Sequence, residues 1–195
     1  MKKKERSVNI PTIEEVENEQ KRLRHRAVYQ RTLRGTIAVL LVVAAISVLV
    51  ATLWMPVLQI YGSSMSPTLE AGQIVVSVKT NQLKTGEVVA FWQGNKLLVK
   101  RVIAGPGQWV DIDMDGNVTV DGKELTEDYL DMKALGNCDV ELPHQVEESR
   151  WFLMGDNRDV SVDSRSVAIG DVSKDQIEGK IVFRIWPLNK TGSIQ

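Results

Sequence analysis

The fold is decided by "GEVVAFWQGNKLLVKRVIAGPG", residues 86–107. Two apolar segments rich in β-branched and aromatic residues are separated by the turn-like "QGN", and the turn-like "GPG" ends the second segment. Short apolar runs bounded by glycine and proline are typical of β-strands that follow one another in a sheet. The stretch therefore predicts two neighbouring strands.

Segments of the same texture lie on both sides of this stretch. The dipeptides Asp115-Gly116 and Asp121-Gly122 favour hairpins, and residues 173–178 favour one helical turn. Many short strands at close spacing predict a mainly β, antiparallel, barrel-like domain over 59–195. The further strand segments are "QIVVSVKT" (73–80), "QWVDIDMDG" (108–116), "NVTVDGK" (117–123), "RWFLMG" (150–155) and "GKIVFRIWPL" (179–188).

An uncharged run, "TIAVLLVVAAISVLVATLWMPVL", precedes the β segments at 36–58. Its 23 residues exceed the roughly 20 that a helix needs to cross a bilayer. We expect 35–58 to form one transmembrane helix, because a buried helix of a soluble protein would rarely stay uncharged for so long. A cleavable signal peptide is the weaker alternative, since 34 residues come before the apolar run instead of a short basic stretch.

Charge is distributed unevenly about the apolar run. Residues 1–34 contain ten Lys or Arg against five Glu, whereas the remainder contains fourteen basic and twenty acidic residues. This pattern indicates a membrane protein and argues against a nucleic-acid partner. Because basic flanks stay in the cytoplasm, we expect residues 1–34 to be cytoplasmic and 59–195 to lie outside. Contact of the basic segment with anionic lipid is the alternative to a purely topological role.

Two further features qualify these expectations. Thr12 with Glu15 three residues later resembles a capping box, which favours a polar helix before the apolar run. Cys138 is the single cysteine, so neither an intrachain disulfide nor a cysteine-rich metal site is expected.

A serine-rich turn and a lysine within a strand are the first candidates for chemistry. "YGSSMSPTLEAGQ" (61–73) follows the apolar run and is either a polar linker or the carrier of a nucleophile at the membrane surface. Lys100 lies in an apolar strand, where a lysine usually extends its amine to the surface. Alternation places Lys100 and Arg101 on opposite faces. If burial lowered the pKa of Lys100, its neutral amine could accept the proton of a serine hydroxyl.

A third polar cluster is "MGDNRDVSVDSR", residues 154–165. Its composition suits a surface loop, and it lacks both histidine and the spacing of a calcium loop, so we expect no metal there. In an extended segment Ser161, Asp163 and Arg165 share one side, offering a hydroxyl to an amine and a carboxylate to Arg101. A Ser-His-Asp triad would need His144, whose polar loop makes it a poor candidate.

Together these clusters resemble the motifs of the type I signal peptidases (leader peptidases), membrane-bound serine endopeptidases with a Ser–Lys dyad. "GSSMSPTL" resembles the serine motif of that family, "LVKRVIAGPG" its lysine motif and "MGDNRDVSVDSR" its glycine-aspartate-asparagine motif. Three motifs in this order behind an apolar anchor make the resemblance specific. The short interval between "AGPG" and "RWFLMG" implies a minimal, Gram-positive-like form with a small β cap at about 105–150.

The resemblance implies a role for each candidate residue. Ser64 would be the nucleophile and Lys100 the general base, with Ser161 orienting the lysine amine. Asp163 would pair with Arg101 or with Arg165, and the backbone N–H of Ser64 would serve the oxyanion hole. Some family members carry a serine where this chain has Gly62, so one expected donor is missing. The substrate would contact Ile60, Gly62, Met65, Leu98 and Val99.

The implied function is removal of N-terminal signal peptides from secreted preproteins after an A-x-A-like motif, at a bacterial cell membrane and near the translocation machinery. No cofactor is implied. Two alternatives remain: a specialised processing peptidase of the same fold that serves pilins or a single substrate, and a non-catalytic, membrane-anchored β module that binds partners. Intact Ser64, Lys100 and Ser161 count against the second alternative.

Overall fold

A long helix comes first in the chain. The computed structural model describes residues 12–80 and 82–194, and helix α1 covers Ile13–Trp54. It begins with the predicted capping box: the N–H of Thr12 donates to Glu15 Oε2 at 2.9 Å, and the N–H of Glu15 donates to Thr12 Oγ1 at 3.4 Å. By length and composition, α1 is the one helix among the described residues that could cross a membrane.

The apolar part of α1 satisfies its own polar groups. Ser47 Oγ donates to the carbonyl of Val43 at 2.8 Å, and Thr36 Oγ1 donates to the carbonyl of Thr32 at 3.0 Å. Such bonds to the preceding turn leave no hydroxyl unsatisfied in an apolar solvent. The large apolar side chains between Ile37 and Leu53 are exposed, which suits a helix surrounded by lipid.

The bounds of α1 differ from the predicted span of 35–58. The polar segment and the apolar run form one continuous helix, and it ends at Trp54 instead of Leu58. Pro56 explains the early end, because a proline disfavours helical backbone in the residue before it. The next residues form a strand, β1 (Val57–Gln59), which pairs with a second strand, β2 (Ile74–Val78), through Leu58 and Val75.

The larger of two sheets has eight strands, and every pair in it is antiparallel. Its strand order is β1-β2-β11-β3-β4-β9-β10, and β12 pairs with β11. The mainly antiparallel β prediction is confirmed. The strands are β1, β2 (Ile74–Val78), β3 (Val88–Gln93), β4 (Lys96–Ala104), β9 (Arg150–Met154), β10 (Val172–Ser173), β11 (Ile177–Trp186) and β12 (Gly192–Ser193).

The smaller sheet has four strands and lies within the stretch predicted as the cap. Its order is β7-β6-β5-β8, formed by β5 (Trp109–Ile112), β6 (Val118–Val120), β7 (Lys123–Glu124) and β8 (His144–Gln145). Asp121 and Gly122 connect β6 to β7 with φ of 53° and 75°, as a two-residue hairpin turn requires. Val110, Ile112 and Val118 pack with Ile103 and Phe152 of the larger sheet, so the two sheets share one apolar core.

Strand β3 is apolar at consecutive positions because both of its faces are buried. Val88 and Ala90 belong to one core cluster, whereas Val89 and Phe91 belong to another on the opposite face. A strand covered on both faces has no solvent side, so polar residues do not alternate along it. Its partner β4 is covered in the same way, which determines the environment of Lys100 and Arg101.

Candidate active site

Two cationic residues, Lys100 and Arg101, are consecutive in the middle of β4. Lys100 pairs with Val89 and Arg101 with Val88, so the two side chains leave the sheet on opposite faces, as alternation predicted. Because both faces are covered, both side chains are buried: Lys100 is 3% exposed and Arg101 is 1% exposed. The interpretation of Lys100 as a lysine that reaches the surface is therefore wrong.

Lys100 has a hydroxyl neighbour. Its Nζ donates to Ser161 Oγ at 3.0 Å, and no carboxylate lies within ion-pair distance of that amine among residues 12–80 and 82–194. Burial lowers the pKa of Lys100 from 10.5 to about 8, although the more distant Asp163 carboxylate acts in the opposite direction. An appreciable fraction of the amine is thus neutral near neutral pH.

Ser64 lies in a compact turn that is anchored by its neighbours. Met65 and Leu69 are buried in the apolar core, and the N–H of Leu69 donates to the carbonyl of Met65 at 2.8 Å. The carbonyl of Ser64 accepts a bond from the N–H of Asn157 at 3.0 Å, which ties this turn to the third polar cluster. The serine itself is half-buried and lines a groove of about 360 Å³ together with Lys100.

Gly155 allows Ser64 and Ser161 to come close together. A Cβ at this position would collide with Ser161 Oγ and would lie 2.5 Å from the carbonyl oxygen of Ser64. Only a residue without a side chain fits there without moving one of the two serines. Gly155 therefore brings the Ser64 turn and the Ser161 hydroxyl to the same place.

Asp163 pairs with Arg165. The Nε of Arg165 donates to Asp163 Oδ1 at 2.9 Å and its second nitrogen donates to Oδ2 at 2.9 Å, in a fully buried bidentate pair. Burial alone would raise the pKa of Asp163, but the hydrogen bonds and charge of Arg165 outweigh it and hold that pKa below its usual value. Asp163 also accepts the N–H of Gly155 at 2.9 Å.

Of the two arginines expected as partners of Asp163, Arg165 binds it and Arg101 does not. Arg101 binds Asp156 instead, with Nε to Oδ1 at 2.9 Å and the second bond to Oδ2 at 2.7 Å. Thr68 also donates to Asp156. Arg101 extends from the face of β4 opposite to Lys100, so Asp156 can reach it while Asp163 faces Arg165.

The segment around Ser161 is not extended. Residues 155–171 form turns and bends, and the N–H of Ser161 donates to the carbonyl of Asn157 at 3.1 Å as in a helical turn. Polar side chains that bond to the local backbone favour such turns over strand pairing. Ser161, Asp163 and Arg165 nevertheless come together, because the turn folds them inward and all three are buried.

His144 is bound elsewhere. This histidine lies on β8 of the smaller sheet, and its Nε2 is 3.0 Å from Asp171 Oδ1. Neither residue lines the groove that contains Ser64 within the described part of the chain. The geometry gives a Ser-His-Asp triad no support. No cluster of three potential metal ligands occurs among the described residues.

The residues predicted to contact substrate all line the groove beside Ser64. Ile60 and Met65 form part of its wall, Leu98 and Val99 form another part, and Gly62 lies at its exposed edge. Gly62 has φ of 80°, a conformation that favours glycine over serine. A second cavity of about 510 Å³ shares Ser64, Leu98 and Lys100 and extends towards Val162 and Ile169.

Part of the polar network is not identified by the sequence motifs. Asp156 lies in the third polar cluster, whose composition suits a surface loop, and Glu127 and Tyr129 lie outside all three clusters. All three contact buried arginines. The signal available was an arginine inside each of two motifs, Arg101 and Arg158, because a buried arginine requires a carboxylate partner.

Comparison with known proteins shows the family of this chain. The family model described as "Signal peptidase, peptidase S26" matches residues 33–186. Signal peptidase IB of Staphylococcus aureus (strain COL) is 37% identical over 152 residues, which are 67% of this chain and 78% of that protein. Signal peptidase I of Bacillus licheniformis is 32% identical over 166 residues, which are 78% of this chain and 88% of that protein.

A solved structure is also similar. Signal peptidase I from Enterococcus faecalis V583 is 25% identical, covers 52% of this chain and 98% of its own, and superposes with a TM-score of 0.43. The family match extends from the apolar helix through the last long strand and includes Ser64, Lys100 and Ser161. With this match and two relatives above 30% identity, the chain belongs to the signal peptidase family, peptidase S26.

Proposed function

We propose that Ser64 and Lys100 are the nucleophile and general base with which this chain hydrolyses a peptide bond. As a member of the signal peptidase family, the chain is a membrane-anchored serine endopeptidase that removes signal peptides. The observation that carries the assignment is the environment of Lys100: its amine is buried, bound to Ser161 Oγ and in the same groove as Ser64. A lysine whose pKa is about 8 suits proton abstraction near neutral pH.

The reaction follows from these groups. Neutral Lys100 accepts the hydroxyl proton of Ser64 while the oxygen of Ser64 bonds to the scissile carbonyl carbon. The protonated amine then donates that proton to the nitrogen of the leaving peptide, and the carbon–nitrogen bond breaks. Water then loses a proton to the same amine and attacks the acyl carbon. The ester bond to Ser64 breaks, the amine returns its proton to Ser64 Oγ, and the signal peptide is released. Ser161 Oγ keeps the amine directed into the groove in both protonation states.

The negative charge of the tetrahedral intermediate needs hydrogen-bond donors. The backbone N–H of Ser64 is our candidate, because a main-chain donor beside the nucleophile is held in place by the turn. Gly62 offers no hydroxyl, and its φ of 80° favours glycine at this position. We infer that backbone donors carry a larger share of oxyanion stabilisation here than in relatives with a serine at this position.

The substrate fits an extended binding mode. The acyl portion, with small A-x-A-like side chains, would lie between β1 with the Ser64 turn and residues Leu97–Val99 of β4. The portion that follows the scissile bond would extend towards Val162 and Ile169, since that cavity shares Ser64 and Lys100 with the first. Secreted preproteins are the substrate class, and Ile60, Met65, Leu98 and Val99 would determine which side chains are accepted.

Cleavage of a preprotein by the purified full-length enzyme tests the dyad. Ser64→Ala and Lys100→Ala should each reduce the rate by about 10³-fold or more, while circular dichroism shows a folded protein. Ser63→Ala is the matched control, because Ser63 is the exposed neighbour in the same turn and should retain the wild-type rate. Activity retained by either dyad variant, or lost in the control, would refute the assignment.

We also propose the orientation of the chain. Residues 1–34 would lie in the cytoplasm of a bacterial cell, and residues 59–195 outside, because the basic residues precede the apolar part of α1. This places the active site where a preprotein leaves the translocation machinery, close to lipid. Protease added to intact protoplasts should degrade the β domain; a protected β domain would reverse the orientation.

A further inference from the structure

A short segment of the chain outside the three motifs reaches the polar network. Glu127 lies after β7 and is 6% exposed. Both of its carboxylate oxygens accept bonds from the guanidinium of Arg158, and its Oε1 also accepts the hydroxyl of Tyr129 at 2.8 Å. Burial raises the pKa of Tyr129 well above its usual value, so that hydroxyl remains a donor.

Tyr129 contacts the second arginine. The Cζ of Arg101 lies 3.8 Å from the centre of the Tyr129 ring, a cation–π contact. The same guanidinium binds Asp156 with two hydrogen bonds. Arg101 follows Lys100 directly in the sequence. The ring therefore covers the cation that holds Asp156, on the opposite face of β4 from Lys100.

One of the two arginines binds Gly155 and the other binds the residue that follows it. Arg158 Nε donates to the carbonyl of Gly155 at 3.1 Å, and Arg101 holds the following residue, Asp156. The carbonyl of Arg158 also accepts a bond from Arg165 at 2.9 Å, which extends the network to Asp163. A shift of Gly155 would be transmitted directly, because this glycine is in close contact with Ser161 Oγ and the carbonyl of Ser64.

We propose that Glu127 and Tyr129 are positioning residues for catalysis: they fix Arg158 and Arg101, and through Gly155 and Asp156 they hold the Ser161 hydroxyl against the Lys100 amine. This inference rests on the proposed dyad and adds to it a segment that touches neither reacting group. The segment acts at a distance: by restricting movement of Gly155 and Asp156 it keeps the Ser161 turn against Lys100, and that turn keeps water away from the amine.

A merely structural role would give a different result. If Glu127 and Tyr129 only stabilised the fold, their loss would lower the melting temperature and leave the chemistry of the remaining folded enzyme unchanged. If they position Ser161, their loss admits water to the amine, and the pKa of Lys100 rises from about 8 towards 10.5. Because the base must be neutral, the pH at which the rate is half-maximal should then move upwards.

The experiment measures the pH dependence of kcat and KM for full-length variants. Glu127→Gln keeps the shape of the side chain but removes the charge that binds Arg158, and Tyr129→Leu removes the ring over Arg101. Tyr129→Phe keeps that ring. Leu125→Ala is the control, since Leu125 packs against the apolar core of the smaller sheet.

We expect Glu127→Gln and Tyr129→Leu to lower kcat about tenfold with little change in KM and to move the half-maximal pH upwards by about one unit. Tyr129→Phe should stay within about threefold of wild type. Leu125→Ala should lower the melting temperature and leave the pH profile in place.

Unchanged pH profiles in both Glu127→Gln and Tyr129→Leu would overturn the proposal. If Tyr129→Leu yields no folded protein, Glu127→Gln decides the question by the same criterion, since it conserves volume. A wrong dyad assignment gives a different result. It appears as activity in Ser64→Ala or Lys100→Ala, independently of Glu127→Gln and Tyr129→Leu.

Discussion

Lys100 and Arg101 are adjacent on one strand and almost equally buried, yet they have different partners. Arg101 has a bidentate carboxylate, a carbonyl of Gly86 at 2.6 Å and an aromatic ring. Lys100 has one serine hydroxyl and an open groove. A buried cation with a full set of acceptors stays charged and holds the structure together. A buried cation without a carboxylate partner loses part of its charge and becomes a usable base.

The same contrast extends to the whole network. Three arginine–carboxylate pairs surround Gly155, formed by Arg101 with Asp156, Arg158 with Glu127 and Arg165 with Asp163. Each pair is buried, and among the described residues no buried side-chain nitrogen or oxygen lacks a partner. In the described part of the chain, Lys100 is the buried cation outside these pairs, and it lies in the groove of the candidate site.

Replacing the unpaired cation should show the largest effect. Lys100→Met is expected to reduce the cleavage rate by about 10³-fold or more, while raising the free energy of unfolding at pH 7 by about 3 kcal/mol, the equivalent of the pKa shift. As pH rises from about 8 to 10.5, the folded wild type has released a proton that the unfolded chain still binds. The stability of the wild type therefore rises in this window, and the advantage of Met fades.

Urea unfolding at pH 7 and pH 10, followed by tryptophan fluorescence, measures this difference. Lys180→Met is the control, because the Lys180 amine is partly exposed and pairs with Glu87 at 2.7 Å. Its replacement should change stability by no more than about 1 kcal/mol, without the pH dependence. A Lys100→Met protein less stable than wild type at pH 7 would contradict the account.

Removing the partner of the paired cation should be strongly destabilising. Asp156→Asn leaves the Arg101 guanidinium buried without a carboxylate, which is expected to lower the free energy of unfolding by about 3 kcal/mol or more. Asp175→Asn, at an exposed position, should have little effect. Equal losses in the two variants, measured by urea unfolding, would show that the Arg101–Asp156 pair is not the stabilising element.

Loss of the hydroxyl that is hydrogen-bonded to Lys100 should have the smallest effect. Ser161→Ala removes the acceptor 3.0 Å from Nζ and is expected to lower kcat about tenfold, equivalent to about 1.4 kcal/mol, with KM nearly unchanged. Ser166→Ala is the control, since Ser166 is another buried serine nearby that contacts Asp139. Steady-state kinetics distinguish the two variants. A larger loss of kcat in Ser166→Ala than in Ser161→Ala would contradict the role given to Ser161.

Much of the fold and the centre of the site could be predicted from the sequence. The strands of 73–104 follow from their composition, and Lys100, Ser64 and Ser161 follow from motifs that are local in sequence. The end of α1 could not be placed, because Val57 and Leu58 are as apolar as the helix before them and only sheet pairing distinguishes them.

The partners of the arginines were harder to predict because they depend on tertiary placement. Alternation places Arg101 on the face of β4 opposite to Lys100. It does not determine which carboxylate binds Arg101 there, and the sequence offers Asp163 as readily as Asp156, the observed partner. Glu127 is 31 residues from Arg158, in a stretch with no periodic pattern. A long-range ion pair of this kind leaves no local signature.

The central claim is that Lys100 is a neutral amine at a pH where an ordinary lysine is charged. An NMR titration of ¹³C-labelled lysine in the inactive Ser64→Ala protein tests it directly, with the Lys100 signal assigned by its absence after Lys100→Met. We predict that the Lys100 signal titrates with a pKa of about 8, below the ordinary lysine value of 10.5. A Lys100 signal that titrates near 10.5 would contradict the account.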